Sequence, residues 1–358
     1  MARIAIVGCG AIGGLAGFYM ARAGESVLFI DQNTDHVRAI RDHGISVNGV
    51  YGPMSIPPQR ACAPAEISER LDGLIFLACK SQATEAAARS IAPHLAESAC
   101  VVSLQNGMNE EAIAGIVGSG RTMGALPDYG GAYLDPGVLE AVHEGTVYVG
   151  ELDGRLTPRA REAARLLGIG PNKCDLLTDI MGRLWTKHVY NSQIVVTALV
   201  NGTVVEVLGN PDVQRLAGAA VREAMGVSDA AGIRLHADRW FDPALFSPET
   251  PADTARLLQA YGRLVEHLGG HQVGEGPGGY RYVKKASGIH WDLVYRRRKS
   301  EAAHLTVCTH ASRYGVAVPL NAKIVGMIGE VEDGKRLLGW HNIAEATAYA
   351  KQIGAVLP

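Results

Sequence analysis

The first half of the chain alternates short apolar, β-branched runs with stretches that repeat apolar residues at helical spacing. This pattern predicts strands at 3–7, 26–30, 74–78, 99–104 and 121–125, and helices at 12–23, 83–95, 109–116 and 157–167. Short strands that alternate with helices form a parallel sheet covered on both faces, and their crossovers are right-handed. The pattern therefore predicts an α/β fold with a doubly wound parallel sheet.

Two later segments continue the β pattern. Residues 138–142 and 146–150 flank a turn at 143–145 and predict a hairpin. A further short extended segment is expected at 173–177.

From about residue 180 the strand pattern gives way to long amphipathic helices, interrupted by Pro and Gly at 240–251 and 269–279. We predict a first domain at 1–178 and an all-helical second domain at 179–358. The expected helices of the second domain are 181–199, 212–232, 253–268, 289–314 and 320–333.

Composition excludes several classes of partner. The 358 residues carry a formal net charge of −2 and are 47% hydrophobic, so neither nucleic acid nor an anionic membrane surface is an expected partner. The dense basic run Arg296-Arg297-Arg298-Lys299 fits a solvated face or an anion contact. No apolar run approaches the roughly 18 residues that a membrane span needs.

The six cysteines show neither C-x-x-C nor zinc spacing, and no metal-ligand cluster is visible. The apolar start is too short for a signal peptide. These features predict a reduced, cytoplasmic protein without a metal.

A glycine pattern follows the first strand. Gly8-Cys9-Gly10-Ala11-Ile12-Gly13 fits G-x-G-x-x-G between a strand and a helix, which is the context of a dinucleotide-binding turn. The glycines allow a tight turn, close approach of a pyrophosphate and close helix packing. The helix N-terminus then offers free N–H groups to the phosphates.

The second strand ends in Asp31, whose carboxylate can bind the adenosine ribose and would repel a 2′-phosphate. This favours NAD over NADP. If Asp31 only caps the following turn, NADP stays open, and Arg38 or Arg41 could bind its 2′-phosphate.

Four polar residues are expected to face the ligand-binding cleft at the carboxyl edge of the sheet, and they suggest hydride-transfer chemistry. Lys187 and Asn191 are four apart and share a helix face. A lysine there can protonate a carbonyl oxygen as hydride reaches the carbon. Asn106 and Lys80 each follow a strand at the carboxyl edge of the sheet, where open α/β folds bind ligands. A surface lysine and an Asn-Gly turn are the structural alternatives.

Together these residues resemble the ketopantoate reductase family. The resemblance rests on Gly8-Cys9-Gly10-Ala11-Ile12-Gly13, Ala78-Cys79-Lys80, Gln105-Asn106-Gly107, Lys187-x-x-x-Asn191 and Gly315-Val316-Ala317-Val318-Pro319. It implies a Rossmann-type first domain, a helical second domain used for substrate binding and dimerisation, and an active site between them.

The resemblance also implies roles for individual residues. Lys187 would be the general acid, Asn106 would lie near the nicotinamide and substrate, and Asn191 would contact the substrate. The family's functional Glu corresponds to Glu301 by the Lys299-Ser300-Glu301 segment, or to Lys299 when counted back from Gly315 without gaps.

Three departures from the family pattern point to an NAD-preferring paralogue. Asp31 stands where the family carries no acid, Val195 replaces a second Asn, and residues 236–290 form a longer segment. Ser287 and His290 are candidate substrate contacts in this segment. The expected reaction is hydride transfer between NAD(P) and a small hydroxy or oxo acid, of which pantoate and 2-dehydropantoate are examples.

Two other functions remain compatible with the sequence. An opine-type dehydrogenase would reduce an imine formed from an amino acid and a 2-oxo acid. A non-catalytic NAD(H)-binding regulator could use the same fold. In every case the apolar helical faces of the second domain predict a homodimer.

Overall fold

The computed structural model describes the backbone of residues 2–238, 241–270, 274–275, 281–282, 287–295, 297 and 299–355. The chain divides into two compact units. The first comprises Met1–Leu184 with Gly274–Tyr282, and the second comprises Trp185–Val273 with Val283–Pro358.

The first unit carries most of the strands. In chain order they are β1 (Ala2–Val7), β2 (Val27–Ile30), β3 (Ile45–Gly49), β4 (Met54–Ile56), β5 (Arg60–Cys62), β6 (Leu71–Leu77), β7 (Cys100–Leu104), β8 (Thr122–Pro127), β9 (Gly130–Asp135), β10 (Val138–His143), β11 (Thr146–Glu151) and β12 (Lys173–Leu176). Its helices are α1 (Ala11–Arg22), α2 (Thr34–His43), α3 (Thr84–Ile91), α4 (Glu110–Val117) and α5 (Pro158–Leu167).

The main sheet has the strand order β12-β11-β8-β7-β6-β1-β2-β5. Its run from β5 to β8 is parallel throughout, while β11 joins β8 antiparallel and β12 lies parallel to β11. The strand order reverses between β1 and β6, and ligands bind at such a switch point in doubly wound sheets. This arrangement confirms the predicted doubly wound fold of the first half.

Helix α1 packs between the main sheet and a second sheet of order β4-β3-β10-β9. Two glycines that are neighbours on the helix surface, three residues apart, allow this. A Cβ at Gly17 would lie 2.5 Å from the Phe29 ring, on the main sheet, and a Cβ at Gly14 would lie 2.6 Å from Leu139 of β10. Because both sides are covered, α1 is apolar nearly all round, as a buried helix must be.

The second unit is helical, which confirms the predicted class of the second half. Helix α6 (Ile180–Thr197) leads into it, followed by α7 (Val204–Leu208), α8 (Pro211–Ala230), α9 (Pro251–Gly270), α10 (Gly288–His290), α11 (Cys308–Ala311), α12 (Pro319–Glu332) and α13 (Trp340–Gln352). The short pair β13 (Gly274–Glu275) and β14 (Arg281–Tyr282) groups with the first unit. Within the described residues, none of the helices is apolar over a length that would cross a bilayer.

Two predicted elements are wrong. Strands β10 and β11 do not form a hairpin, because β10 pairs with β3 and β9 whereas β11 pairs with β8 and β12. The helix predicted at 289–314 is broken up. Its described part has α10, a π-helical turn at Trp291–Tyr295, irregular backbone from 299 to 307, and α11.

Candidate active site

The glycine turn between β1 and α1 has no room for side chains at two positions. Gly8 has φ of 91°, and a Cβ there would lie 2.6 Å from the backbone nitrogen of Cys79. A Cβ at Gly13 would lie 2.2 Å from the Gly8 carbonyl oxygen and 2.7 Å from the Ala78 side chain. Glycine at both positions therefore permits the tight turn and the close packing of α1 on β1 and β6.

The N-terminus of α1 is open to a ligand. A Cβ built on Gly10 would meet no protein atom within 4 Å. The first helical hydrogen bond runs from the Gly14 N–H to the Gly10 carbonyl at 2.7 Å. The N–H groups of the first helical turn, from Ala11 to Gly13, have no acceptor within the helix. A dinucleotide pyrophosphate fits this end, where free N–H groups and the helix dipole favour an anion.

Asp31 follows β2 and is fastened to the glycine turn. Its Oδ2 accepts the Cys9 N–H at 2.6 Å, and its Oδ1 accepts the Asn33 N–H at 2.8 Å. Each carboxylate oxygen has a further lone pair. The carboxylate is therefore held in place beside the turn and can still accept hydrogen bonds from ribose hydroxyls.

The two arginines considered for a 2′-phosphate both have an acidic neighbour. The guanidinium of Arg38 lies 3.5 Å from the carboxylate of Asp35, and that of Arg41 lies 3.8 Å from Asp42. All four side chains are about half exposed or more. The positive charge of α2 is thus largely balanced along the helix itself.

A buried polar network ties together the ends of β6 and β7. The Asn106 carbonyl accepts hydrogen bonds from the Ser81 hydroxyl at 2.8 Å and from the Asn109 amide at 2.9 Å. Gln105 donates to the Cys79 carbonyl at 2.8 Å. The backbone that carries Asn106 is therefore fixed, and its side chain stays partly exposed. Lys80, at the start of the same turn, is exposed.

Lys187 and Asn191 lie one turn apart on α6, as the sequence predicted. The Lys187 side chain is half-buried, and its Nζ is 5.9 Å from the centre of the Tyr190 ring. Asn191 is 8% exposed, and Val195, one turn further on, is 1% exposed. This face of α6 therefore presents an ammonium group, then an amide, then a methyl surface.

The remaining candidates lie after α9. Glu301 and Lys299 are the two candidates for the position of the family's functional Glu. Glu301 is a buried carboxyl group, whereas Lys299 is an exposed ammonium group. Ser287 Oγ accepts the His290 N–H at 3.2 Å and so caps α10. Burial lowers the pKa of His290. Ser287 thus has a structural role, and a substrate contact by either residue stays a prediction. Within the basic run, residues 296 and 298 lie outside the described part of the chain.

Comparison with known protein families finds two models that match this chain. The model described as "Ketopantoate reductase PanE/ApbA" matches residues 4–154, and that described as "Ketopantoate reductase PanE/ApbA C terminal" matches residues 179–332. The chain belongs to the ketopantoate reductase family. It is accordingly an oxidoreductase that uses a nicotinamide cofactor.

Individual members of the ketopantoate reductase family are moderately similar in sequence. The 2-dehydropantoate 2-reductase of Archaeoglobus fulgidus is 30% identical over 237 residues, 66% of this chain and 76% of the relative. That of Mesorhizobium japonicum is 28% identical over 258 residues, 65% of this chain and 77% of the relative.

Solved structures share the fold. A ketopantoate reductase of Ralstonia eutropha superposes with a TM-score of 0.74 at 22% identity, covering 93% of this chain and 99% of that one. The complex of D-mandelate dehydrogenase with NADH and anilino(oxo)acetate gives 0.74 at 20% identity, with the same coverage.

Sequence reasoning missed most of the polar network of this family member. Ser81, Thr84 and Asn109 lie in helix-like stretches, and only their burial next to strand ends distinguishes them. Glu110, at the start of α4, was also missed. Burial raises its pKa to about 7, outweighing the Ser103 hydroxyl and the backbone N–H groups that favour the ionised form. Neither carboxyl oxygen has a hydrogen-bond partner of normal geometry in the described chain.

Proposed function

We propose that the chain catalyses reversible hydride transfer between NAD(H) and a small 2-hydroxy or 3-hydroxy acid. The main support for a preference for NAD over NADP is Asp31, whose carboxylate accepts a hydrogen bond from the Cys9 N–H beside the glycine turn. A carboxylate at this position accepts ribose hydroxyls and repels a 2′-phosphate. The acidic neighbours of Arg38 and Arg41 support the same preference, because they offset the charges that would attract the phosphate.

The residues of the first unit would hold the cofactor. The N–H groups at the start of α1 bind the pyrophosphate, and Asp31 binds the adenosine ribose. When bound, the nicotinamide supplies or accepts the hydride. The network of Gln105, Ser81 and Asn109 keeps the Asn106 backbone in place, so that its side-chain amide can orient the substrate.

Lys187 supplies the proton in this proposal. Its ammonium donates a proton to the carbonyl oxygen of the oxo acid, and the neutral amine takes the proton back when the hydroxy acid is oxidised. Until the proton moves, the positive charge stabilises the negative charge that develops on that oxygen. Asn191, one turn along α6, holds a substrate oxygen, and Glu301 is the candidate for the family's functional carboxylate.

The substrate class follows from chemistry and from the names of the relatives. The relatives are named for 2-dehydropantoate, which is a 2-oxo acid. One structural neighbour is named for mandelate, which is a 2-hydroxy acid. We infer an acid of this class other than pantoate. The methyl groups of Val195 take the place of an amide next to Asn191, which suits a less polar side chain on the substrate.

Initial rates with NADH and NADPH test the cofactor preference. We predict at least a tenfold preference for NADH in kcat/KM for a 2-oxo acid, and a smaller preference in Asp31→Asn. Asp153→Asn, which removes an exposed acid after β11, is the matched control and should change the ratio much less. A wild-type preference for NADPH would remove the proposal.

We also propose a cytoplasmic homodimer. All six cysteines are free thiols, which suits a reducing compartment. Leu337 is 80% exposed and Trp340 is 48% exposed, in and beside the turn between α12 and α13. Exposed apolar side chains so close together favour an interface. Sedimentation velocity should give a dimer, and Leu337→Glu should weaken it; a monomer at micromolar concentration contradicts the proposal.

A further inference from the structure

Five residues close a ring of contacts beside the glycine turn. Asp31 accepts the N–H groups of Cys9 and Asn33. The Asn33 amide donates to the Tyr133 hydroxyl at 3.2 Å. The Tyr133 ring meets the His36 ring edge to face at 5.0 Å, and His36 Nε2 lies 2.8 Å from the Cys9 carbonyl. The second sheet, through Tyr133 of β9, thus reaches the turn that would bind the cofactor.

The hydrogen bonds of His36 define which nitrogen carries its proton. The Gly137 N–H donates to Nδ1 at 2.9 Å, so Nδ1 is an acceptor. Nε2 must then carry the proton and donate it to the Cys9 carbonyl. His36 is buried, and both its nitrogens are engaged. The imidazole is therefore a fixed surface on which the Tyr133 ring rests, and this contact orients the phenol.

The Tyr133 hydroxyl retains a proton to donate. It accepts the hydrogen bond from Asn33, and no acceptor for its own proton is found among the described residues. Burial raises the pKa of Tyr133, and the nearby carboxylates of Asp31, Asp135 and Asp35 raise it further. The phenol thus stays protonated at neutral pH. Asn33 links the two side chains, because its N–H donates to Asp31 and its side-chain amide donates to the Tyr133 hydroxyl.

We propose that Tyr133 is a second cofactor-specificity residue, whose hydroxyl donates a hydrogen bond to the adenosine ribose held by Asp31. This inference rests on the proposed function, since it needs a nicotinamide dinucleotide at the glycine turn. A ribose hydroxyl can donate to Asp31 and accept from Tyr133 at the same time. A 2′-phosphate would instead meet the negative charges of Asp31, Asp35 and Asp135 around the phenol.

Tyr133→Phe removes the hydroxyl and keeps the ring on His36. We expect the Kd and KM for NADH to rise about threefold to tenfold, the effect of one hydrogen bond, while kcat stays within about twofold. The Kd for NADPH should change less, so that selectivity falls. Tyr51→Phe is the matched control. Its hydroxyl, between β3 and β4, has no hydrogen-bond partner in the described chain, so NADH binding should not change.

Analogues of the cofactor separate a direct contact from a structural effect. We would titrate the wild-type protein and Tyr133→Phe with NADH and with two analogues that lack either the 2′- or the 3′-hydroxyl of the adenosine ribose. Binding is followed by nicotinamide fluorescence. If Tyr133 donates to a ribose hydroxyl, the loss caused by Tyr133→Phe disappears with the analogue that lacks that hydroxyl. An equal loss with all three ligands, or no loss with NADH, overturns the inference.

The affinities of the wild-type protein for NADH and NADPH distinguish a failure of the proposed cofactor preference from a failure of the role proposed for Tyr133. If it binds NADPH more tightly than NADH, the proposed cofactor preference fails, whatever Tyr133→Phe does. If it prefers NADH and Tyr133→Phe binds both cofactors as wild type does, only the role of Tyr133 fails. An unchanged melting temperature of Tyr133→Phe in the absence of cofactor is the folding check.

Discussion

The Glu110→Gln variant is expected to be more stable than the wild-type protein, by a margin that grows as the pH rises. Glu110 begins α4 and is 2% exposed, and its carboxyl oxygens have no hydrogen-bond partner of normal geometry in the described chain. Burial raises its pKa from 4.5 to about 7. The folded protein therefore holds the Glu110 proton more tightly than the unfolded chain does.

The magnitude follows from the two pKa values. Because the folded-state value is the higher one, the stability contributed by this proton is complete below pH 4.5 and is lost as the pH rises through about 7. The difference between the two values corresponds to roughly 3 kcal/mol at 25 °C. Glutamine keeps the neutral shape and cannot ionise. Its advantage should approach about 3 kcal/mol at pH 8.5 and stay below about 1 kcal/mol at pH 5.

Urea unfolding followed by circular dichroism at several pH values measures this margin. Subtracting the wild-type free energy of unfolding at each pH removes other titrations, such as that of His188, whose pKa is lowered to about 3 by burial and by His310. Glu111→Gln, an exposed neighbour on α4, is the control and should show no such trend. A margin for Glu110→Gln that is the same at pH 5 and pH 8.5 would refute the reasoning.

Four further variants probe the turn, the chemistry and the helical unit. Gly13→Ala should destabilise the protein by about 1–3 kcal/mol, because its Cβ would overlap the Gly8 carbonyl. Gly10→Ala should keep the wild-type melting temperature but weaken NADH binding. Lys187→Met should lower kcat by about 10²–10⁴ with an unchanged Kd for NADH in fluorescence titrations. Asn342→Ala, which removes hydrogen bonds to two backbone carbonyls, should cost about 1–3 kcal/mol in urea unfolding.

Each of these variants has an outcome that contradicts its reasoning. Equal melting temperatures for Gly13→Ala and Gly10→Ala would mean that the close packing of α1 is not needed. Retained turnover in Lys187→Met would assign the proton to another group. A wild-type free energy of unfolding in Asn342→Ala would mean that this buried amide does not hold α13 in place.

Local patterns explain why the main sheet could be predicted and the second sheet could not. The strands around the glycine turn are continuous apolar runs, typical of a parallel sheet buried on both faces. Strand β10 has its partner β3 about ninety residues earlier in the chain, and β11 pairs with β8. Nothing in the spacing of 138–150 shows such distant partners, so a hairpin was the wrong local interpretation.

The broken segment between α10 and α11 shows a tertiary contact overriding a helical pattern. The N–H and the hydroxyl of Ser300 both donate to the Glu332 carboxylate of α12, at 2.8 and 2.7 Å. That N–H is then not available to a helix through this position. Amphipathic spacing alone cannot reveal a carboxylate that lies thirty-two residues further on.

The residues of the candidate site likewise fall into a group that the sequence could identify and a group that it could not. Gly8, Gly13 and Asp31 could be identified because a strand, a turn and a helix set their positions within one continuous segment. Ser81, Asn109 and Tyr133 could not, since each acts through a partner on another element. Their role depends on which strand ends meet at the sheet edge, and a single sequence does not specify that.

The most direct test of the central claim is a panel of cofactors and acids, followed by absorbance of the reduced nicotinamide. Purified protein would be assayed with ketopantoate and NADPH, beside a set of 2-oxo acids with NADH, with and without an added amino acid, and 2- and 3-hydroxy acids with NAD. We predict NAD-linked turnover of a small hydroxy or oxo acid without added amine, and slow turnover of ketopantoate. Fast, NADPH-preferring reduction of ketopantoate would contradict the interpretation of Asp31 and Val195.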